Sequence, residues 1–94
     1  MKLKWEHQSL DDRYDIFEYL YEFNALAAEK TDATIVNRAM LLLEHPLMGI
    51  EREDRRGRYL IIPEISMLLS YEFDGDLIRI HRVIHTKQMF PEKS

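Results

Sequence analysis

The sequence predicts a single α+β domain in which a helical hairpin packs on a small antiparallel sheet. Hydrophobic residues recur at helical spacing in the first half of the chain and alternate as in strands after Gly57. Pro46 separates the two halves, and Asp74-Gly75 lies between two strand-like runs, which is typical of a hairpin turn. The predicted order over residues 1–94 is β-α-α-β-β-β.

The first half contains one predicted strand, from Lys2 to Glu6, where Leu3 and Trp5 alternate with charged neighbours. Ser9 is the predicted cap of the following helix, with Asp12 three residues later as in a capping box. Apolar residues lie on more than one side of that helix, so we expect more than one side to be buried. They are Leu10, Tyr14, Ile16, Phe17, Leu20, Tyr21 and Phe23.

Asn24 is the predicted hinge to a second helix, which should end before His45 because Pro46 disfavours helical geometry in the residue before it. One face of this helix carries Ala28, Ile35, Ala39 and Leu42, with Val36, Met40 and Leu43 beside them. Two amphipathic helices joined by so short a link form an αα-hairpin.

The second half begins with a predicted loop from Pro46 to Gly57, which contains the mixed-charge stretch 51–56. Predicted strands follow at 58–62, closed by Pro63, at 67–73 and at 77–86, the last two joined by a type I′ turn. Strict alternation along the last strand puts Ile78, Ile80 and Ile84 on one face, interrupted by Arg82. The other face then carries Arg79, His81, Val83 and His85.

The composition is that of a globular domain, with 46% hydrophobic residues, 32% charged residues and a net charge of −4. The absence of cysteine excludes a disulfide scaffold, a zinc ribbon and a thiol nucleophile. The charged N-terminus is unlike a signal peptide and no apolar run reaches bilayer length, so we expect a cytoplasmic protein without membrane contact.

Charge is distributed unevenly along the chain. Residues 1–44 carry five bases and nine acids, whereas residues 45–94 carry eight of each, and six of those bases are arginines. Arg52, Arg55 and Arg56 alternate with acids and are interpreted as a solvated loop. For Arg58, Arg79 and Arg82, binding and structural pairing both remain open. The acids of the first helix are interpreted as a solvent face, with mimicry of a polyanion as the alternative.

Motifs for catalysis are missing from the sequence: there is no Gly-rich phosphate loop, zinc-protease motif or nucleophile elbow. His81 and His85 lie roughly 13 Å apart along one strand, too far for one metal ion. We therefore predict neither a metal nor a cofactor. The sequence favours a protein that acts by binding over one that acts as an enzyme.

Several short motifs, in this order and spacing, resemble the ParE/RelE toxin superfamily of bacterial type II toxin–antitoxin systems. The helical half contributes Asn24, Ala27-Ala28, Leu42-Leu43, Pro46 and Gly49. The strand half contributes Arg58, Leu60, Leu69-Ser70-Tyr71 and the run from Ile78 to His85, which is similar to the ParE branch in particular. The resemblance covers roughly residues 10–90.

The resemblance implies a curved sheet beneath the two helices and a toxin that a cognate antitoxin neutralises. The antitoxin's disordered C-terminal segment would fold along the apolar helix surface, and operator DNA would be contacted only through the antitoxin. The residues that would bind the antitoxin are Leu10, Tyr14, Phe17, Tyr21, Met40 and Leu43.

The resemblance to the ParE branch implies a non-enzymatic inhibitor of DNA gyrase. Such an inhibitor would block replication and growth, and it is associated with plasmid stabilisation. The resemblance makes Arg58, Arg82, His85 and Lys87 the target-binding or supporting residues. A member that only binds its antitoxin is a further hypothesis.

The RelE branch implies the alternative, a ribosome-dependent mRNA endoribonuclease, with His85 as acid or base and Lys87, Arg58 and Arg79 on phosphate. The usual RelE positions carry other residues here, namely Tyr59, Ile61, Met67, Leu68 and Phe90.

Overall fold

A computed structural model describes residues 1–53 and 56–89 of the chain. Strand β1 (Lys2–Trp5) leads into helix α1 (His7–Phe23), which is followed by helix α2 (Ala25–Leu41). Asn24 is the hinge, as predicted: its backbone is extended and its side chain accepts a hydrogen bond from the backbone N–H of Ala27. No helix within the described ranges is both long enough and apolar enough to cross a membrane.

Helix α1 begins two residues before the predicted cap. Glu6 is the N-cap, without a side-chain hydrogen bond, and its carbonyl accepts from the backbone N–H of Ser9 and of Leu10. The Ser9 hydroxyl donates to the same carbonyl over 2.6 Å instead of capping the helix. The prediction was wrong because β1 runs directly into the helix: the Glu6 N–H is held by the Ile80 carbonyl of the sheet.

The second half forms strands β2 (Ile50–Glu51), β3 (Arg58–Ile62), β4 (Met67–Asp74) and β5 (Leu77–His85), followed by a short helix α3 (Thr86–Met89). A 3-10 turn at Pro63–Ile65 closes β3 where Pro63 was expected to close it. β2 lies within the segment predicted as loop; its pairing of Ile50 with Tyr59 and Glu51 with Arg58 is too short for a periodic signal.

The five strands make one sheet in the order β1-β5-β4-β3-β2. The helices-then-strands α+β fold is confirmed, but the sheet is mixed, because β1 pairs with β5 in parallel. Adjacent strands joined by short turns must be antiparallel, whereas β1 has no sequence neighbour that fixes its direction.

A β-bulge in β5 overturns the predicted alternation. Ser70 pairs with Arg82 and Tyr71 with Ile80, so His81 is an extra residue opposite β4. The bulge resets the alternation, and Val83 joins Ile78 and Ile80 in the core in place of Ile84. The β4–β5 turn also differs: positive φ occurs at Gly75 but not at Asp74 or Asp76, which does not fit type I′.

The core lies between α2 and the inner face of the sheet. Ala28, Ile35, Ala39 and Leu42 are fully buried, as the second-helix stripe predicts. The sheet contributes Leu60, Ile62, Leu69, Tyr71, Ile78, Ile80 and Val83. α1 buries one side only, through Ser9 and Ile16, so the expectation of a second buried side was wrong.

Candidate functional site

Arg13 fixes α1 against its neighbours. Its guanidinium makes two hydrogen bonds of 2.9 Å to the Asp32 carboxylate on α2. It also lies 4.5 Å from the centroid of the Trp5 ring on β1, at cation–π distance. This contact joins three elements and sets which side of α1 faces outward.

The outward surface of α1 carries a stripe of apolar residues, which we call the aromatic stripe: Leu10, Tyr14, Phe17 and Tyr21. Their spacing of four, three and four residues keeps them on one side of a helix. Tyr14 is 64% exposed and Tyr21 55%, and Phe17 stacks on Tyr21 with ring centroids 5.8 Å apart. Leu10, Tyr14 and Phe17 line a shallow recess of about 280 Å³ beside Arg13 and Asp32.

Next to the aromatic stripe, α1 carries a row of exposed acids, which we call the acidic ridge: Asp11, Asp15, Glu18 and Glu22. Glu18 raises the pKa of the Tyr14 hydroxyl, first by accepting its hydrogen bond and then by its negative charge. On the far flank of the ridge, Tyr19 and Phe23 pack with centroids 5.2 Å apart and stay largely exposed. The ridge therefore lies between two aromatic flanks.

The two α2-side residues predicted for the antitoxin behave differently. Met40 is exposed, whereas Leu43 packs against the hydrophobic core. The structure thus brings Leu10, Tyr14, Phe17 and Tyr21 together on one surface and places Leu43 at the edge of the core.

Arg82 is paired across the fold with Asp12 of α1. Its Nε and Nη2 donate to the carboxylate over 2.7 and 3.0 Å. The hydrogen bonding of the Arg82 guanidinium to Asp12 raises the pKa of Arg82. The same carboxylate accepts the backbone N–H of Val83 over 2.9 Å. β5 extends beyond the end of β1, so the Val83 N–H at this edge of the sheet has no strand partner. The Asp12 carboxylate accepts its hydrogen bond instead.

Arg58 and Tyr71 hold the segment that connects α2 to β2. Arg58 Nη1 donates to the carbonyls of Leu47 and Gly49, over 3.2 and 2.8 Å. The Tyr71 hydroxyl is buried, donates to the Pro46 carbonyl over 2.8 Å and accepts the Gly49 N–H over 3.0 Å. A Cβ at Gly49 would lie 2.6 Å from the Tyr71 ring, so glycine is required there.

Arg79 and Arg52 also have internal partners. Arg79 donates to Glu72 over 2.7 Å, and His81 Nε2 lies 3.2 Å from the same carboxylate oxygen. Arg52 stacks 4.6 Å from the Tyr59 ring centroid and donates to Ser70 over 3.3 Å, so it is half-buried, not the solvated loop residue predicted. Arg55 and Phe90 lie outside the described residues.

The end of β5 and the start of α3 form one wall of a groove of about 720 Å³ whose other wall is α1. Arg82, His85 and Gln88 line it opposite Ile16 and Tyr19. The His85 Nδ1 accepts the Lys87 backbone N–H over 3.1 Å, and Lys87 is exposed. Arg58 lies two strands away, so the structure brings together three of the four predicted target residues.

Sequence reasoning missed the partners that hold these arginines, above all Asp12 and Tyr71. Asp12 was assigned to a capping box, and its true partner is 70 residues away along the chain. Tyr71 was assigned only to a predicted strand and to the Leu69-Ser70-Tyr71 motif. Gly49 was a usable signal for its partner, since glycine allows another group to approach the backbone closely.

Comparison with known proteins supports the fold and the family. Residues 3–90 match the family model for the ParE toxin of type II toxin–antitoxin systems, parDE. The chromosomal ParDE toxin–antitoxin system from P. aeruginosa has a similar solved structure: the TM-score is 0.80 at 22% identity, over 90% of this chain and 95% of that one. The curated proteins contain no match to this sequence. Because the family match spans nearly the whole chain, the protein belongs to the ParE toxin family of type II toxin–antitoxin systems.

Proposed function

We propose that this toxin acts in the cytoplasm by binding DNA gyrase and that a cognate antitoxin neutralises it by covering the helical hairpin. Membership of the ParE family is the observation that carries the proposal. The aromatic stripe supports the antitoxin part, because a folded monomer rarely leaves so many large apolar side chains in one exposed patch unless a partner covers them.

The surroundings of the RelE-type positions favour a binder over a nuclease. Leu68 is fully buried, and Ile61 is its partner across the strands. Arg79, a candidate phosphate ligand in the nuclease alternative, is held by Glu72, and Arg58 is held by the carbonyls of Leu47 and Gly49. Two of the three cations that the nuclease alternative places on a scissile phosphate, Arg58 and Arg79, are thus occupied within the protein.

For the target contact we propose His85 and Lys87, at the end of β5 and in α3. Arg82, which ties β5 to α1, and Arg58, which fixes the 46–50 segment, are the supporting residues. That segment presents Leu47 and Ile50, both more than half exposed, from a backbone held by Arg58 and Tyr71. Preorganised apolar side chains of this kind lose little entropy on binding.

The test is supercoiling by purified gyrase in the presence of the purified toxin, with trapped DNA cleavage as the second readout. We expect inhibition by the wild type and at least a severalfold loss with Lys87→Ala, at unchanged melting temperature. Lys30→Ala, an exposed lysine on α2, is the matched control and should inhibit like the wild type.

Two outcomes contradict the proposal. Cleavage of mRNA on translating ribosomes without an effect on gyrase establishes the nuclease alternative. Growth of cells that express the folded toxin alone, with no inhibition of gyrase in vitro, establishes a member that only binds its antitoxin.

A further inference from the structure

The outward face of α1 combines exposed aromatic residues with a row of exposed acidic residues. In the part of the chain that the structure describes, no lysine or arginine forms a salt bridge with Asp15, Glu18 or Glu22. The Asp11 carboxylate lies 3.3 Å from the His7 Nε2. The bases of the two helices that do form salt bridges, Arg13 and Arg38, are paired with Asp32 and Glu64.

The acidic ridge argues against a second copy of the chain as the occupant. A symmetric dimer through the aromatic stripe would place two rows of carboxylates beside each other at the edge of a low-dielectric contact. Like charges so placed are repulsive and disfavour such pairing. The occupant must supply apolar side chains for the stripe and positive charge for the ridge.

The dimensions of the surface suit one helix. The stripe from Leu10 to Tyr21 is about 17 Å long at the usual helical rise, or about three turns. The recess between Leu10, Tyr14 and Phe17 accommodates a single apolar side chain as an anchor. A helix laid along α1 would contact the stripe with residues at i, i+3 or i+4 and i+7, and its flanking positions would face the ridge.

We infer that the antitoxin segment that covers α1 is a positively charged amphipathic helix, with leucine-like anchors on the aromatic stripe and lysines or arginines against the acidic ridge. This inference rests on the proposed neutralisation by an antitoxin and specifies the chemistry of that partner. It makes the toxin surface the acidic member of the pair.

The contribution of the charged pairs to the binding affinity can be given an expected size. Exposed ion pairs contribute little individually, so each lysine–carboxylate pair should change the affinity about twofold, and reversing two ridge carboxylates about tenfold. Because the pairs lie at the rim of the contact, salt should weaken them, and binding should fall severalfold between about 50 mM and 500 mM salt.

The test uses two labelled synthetic peptides that share the same leucine spacing and differ only in their polar residues, lysine in one and glutamate in the other. Fluorescence anisotropy measures the binding of each to the full-length toxin. We expect the lysine peptide to bind at least tenfold more tightly. Equal binding, preference for the glutamate peptide, or no binding of either peptide would overturn the inference.

Variants then locate the contact. Glu18→Lys/Glu22→Lys should weaken the lysine peptide about tenfold, and Tyr14→Ala by a similar factor through the lost anchor. The matched control is Asp74→Lys/Asp76→Lys, which makes the same charge change at the exposed β4–β5 turn. Equal weakening by the ridge and the turn variants would show that net charge acts instead of this surface.

The antitoxin that restores growth in co-expression separates this inference from the proposed function. If Glu18→Lys/Glu22→Lys weakens its binding to the toxin, the inference holds. If that variant binds it unchanged or more tightly, the antitoxin segment is not cationic, and the inference fails while neutralisation stands. If no antitoxin restores growth, the proposed function fails.

Discussion

The arginine-rich strands and the acidic helix α1 use their charges in opposite ways. Arg58, Arg79 and Arg82 each donate to a partner in the same chain, and Arg82 does so across the whole fold. Within the described ranges, no lysine or arginine forms a salt bridge with the exposed carboxylates of the acidic ridge. The difference shows that a basic cluster in the sequence is not by itself a binding surface: accessibility decides, and on the outward side of α1 the accessible charge is negative.

The largest expected effect is at the segment held by Tyr71. Gly49→Ala places a methyl group 2.6 Å from the Tyr71 ring, so the free energy of unfolding should fall by about 2–3 kcal/mol. Gly75→Ala is the control, since nothing lies within 4 Å of its Cβ and only its positive φ is strained. It should cost about 1 kcal/mol. Both free energies can be measured by urea unfolding. A smaller loss in Gly49→Ala than in Gly75→Ala would contradict this account of the segment.

Asp12→Asn should give the next largest effect, because it removes the charge from a carboxylate that accepts two bonds from Arg82 and one from the Val83 N–H. We expect a loss of about 1–2 kcal/mol in the free energy of unfolding. The neighbouring Asp11→Asn, on the acidic ridge, should change it by less than about 0.5 kcal/mol. Similar losses in the two variants would erase the distinction between paired and free carboxylates.

The stability of the protein should also depend on pH through the Glu64 carboxylate in the 3-10 turn after β3. The Glu64 carboxylate accepts a backbone hydrogen bond and pairs with Arg38, and both hold its pKa below the usual value. The folded state then binds the proton less readily than the unfolded state, so this contribution is present above pH 4.5 and is lost as the pH falls below it. Urea unfolding across the acid range should therefore show a flatter acid limb for Glu64→Gln than for the wild type, and equal limbs would contradict this account of Glu64.

At high pH the dependence of stability on pH has the opposite sign, because stability is lost as the pH rises. Burial raises the pKa of the Tyr71 hydroxyl above 10.0, so the folded state retains a proton that the unfolded chain loses. The contribution of this hydroxyl to stability should be constant up to that pH and should be lost above it. The decline should be shallower in Tyr71→Phe, and identical slopes in the two proteins would contradict the burial of this hydroxyl.

The smallest effect on stability is expected on the aromatic stripe. Tyr14→Ser removes a side chain that is 64% exposed, so the free energy of unfolding should change by less than about 0.5 kcal/mol. The same variant should bind the antitoxin more weakly. A large loss of stability would show that the stripe is part of the core.

Local signals predicted much of the fold. The bounds of β3, the hinge at Asn24 and the stop at Pro63 all follow from residues that act on their own backbone. The bulge at His81 and the parallel direction of β1 did not, because both depend on pairing with a distant strand. One extra residue was enough to put Val83, not Ile84, in the core.

The candidate site was predictable to a similar degree. Helical spacing identified Leu10, Tyr14, Phe17 and Tyr21 as one stripe, but not whether the core or a partner covers it. The pairing of Arg82 with Asp12 had no local signal, because any of the seventeen acids was an eligible partner.

Amide hydrogen exchange of the toxin, free and bound to its antitoxin, tests the central claim most directly. The claim is that the helical hairpin presents the free surface, whereas the arginines of the sheet maintain the fold. We expect new protection along residues 10–23 of α1, with little change in β3 and β4. Protection confined to β3 and β4, with α1 exchanging as in the free toxin, would contradict it.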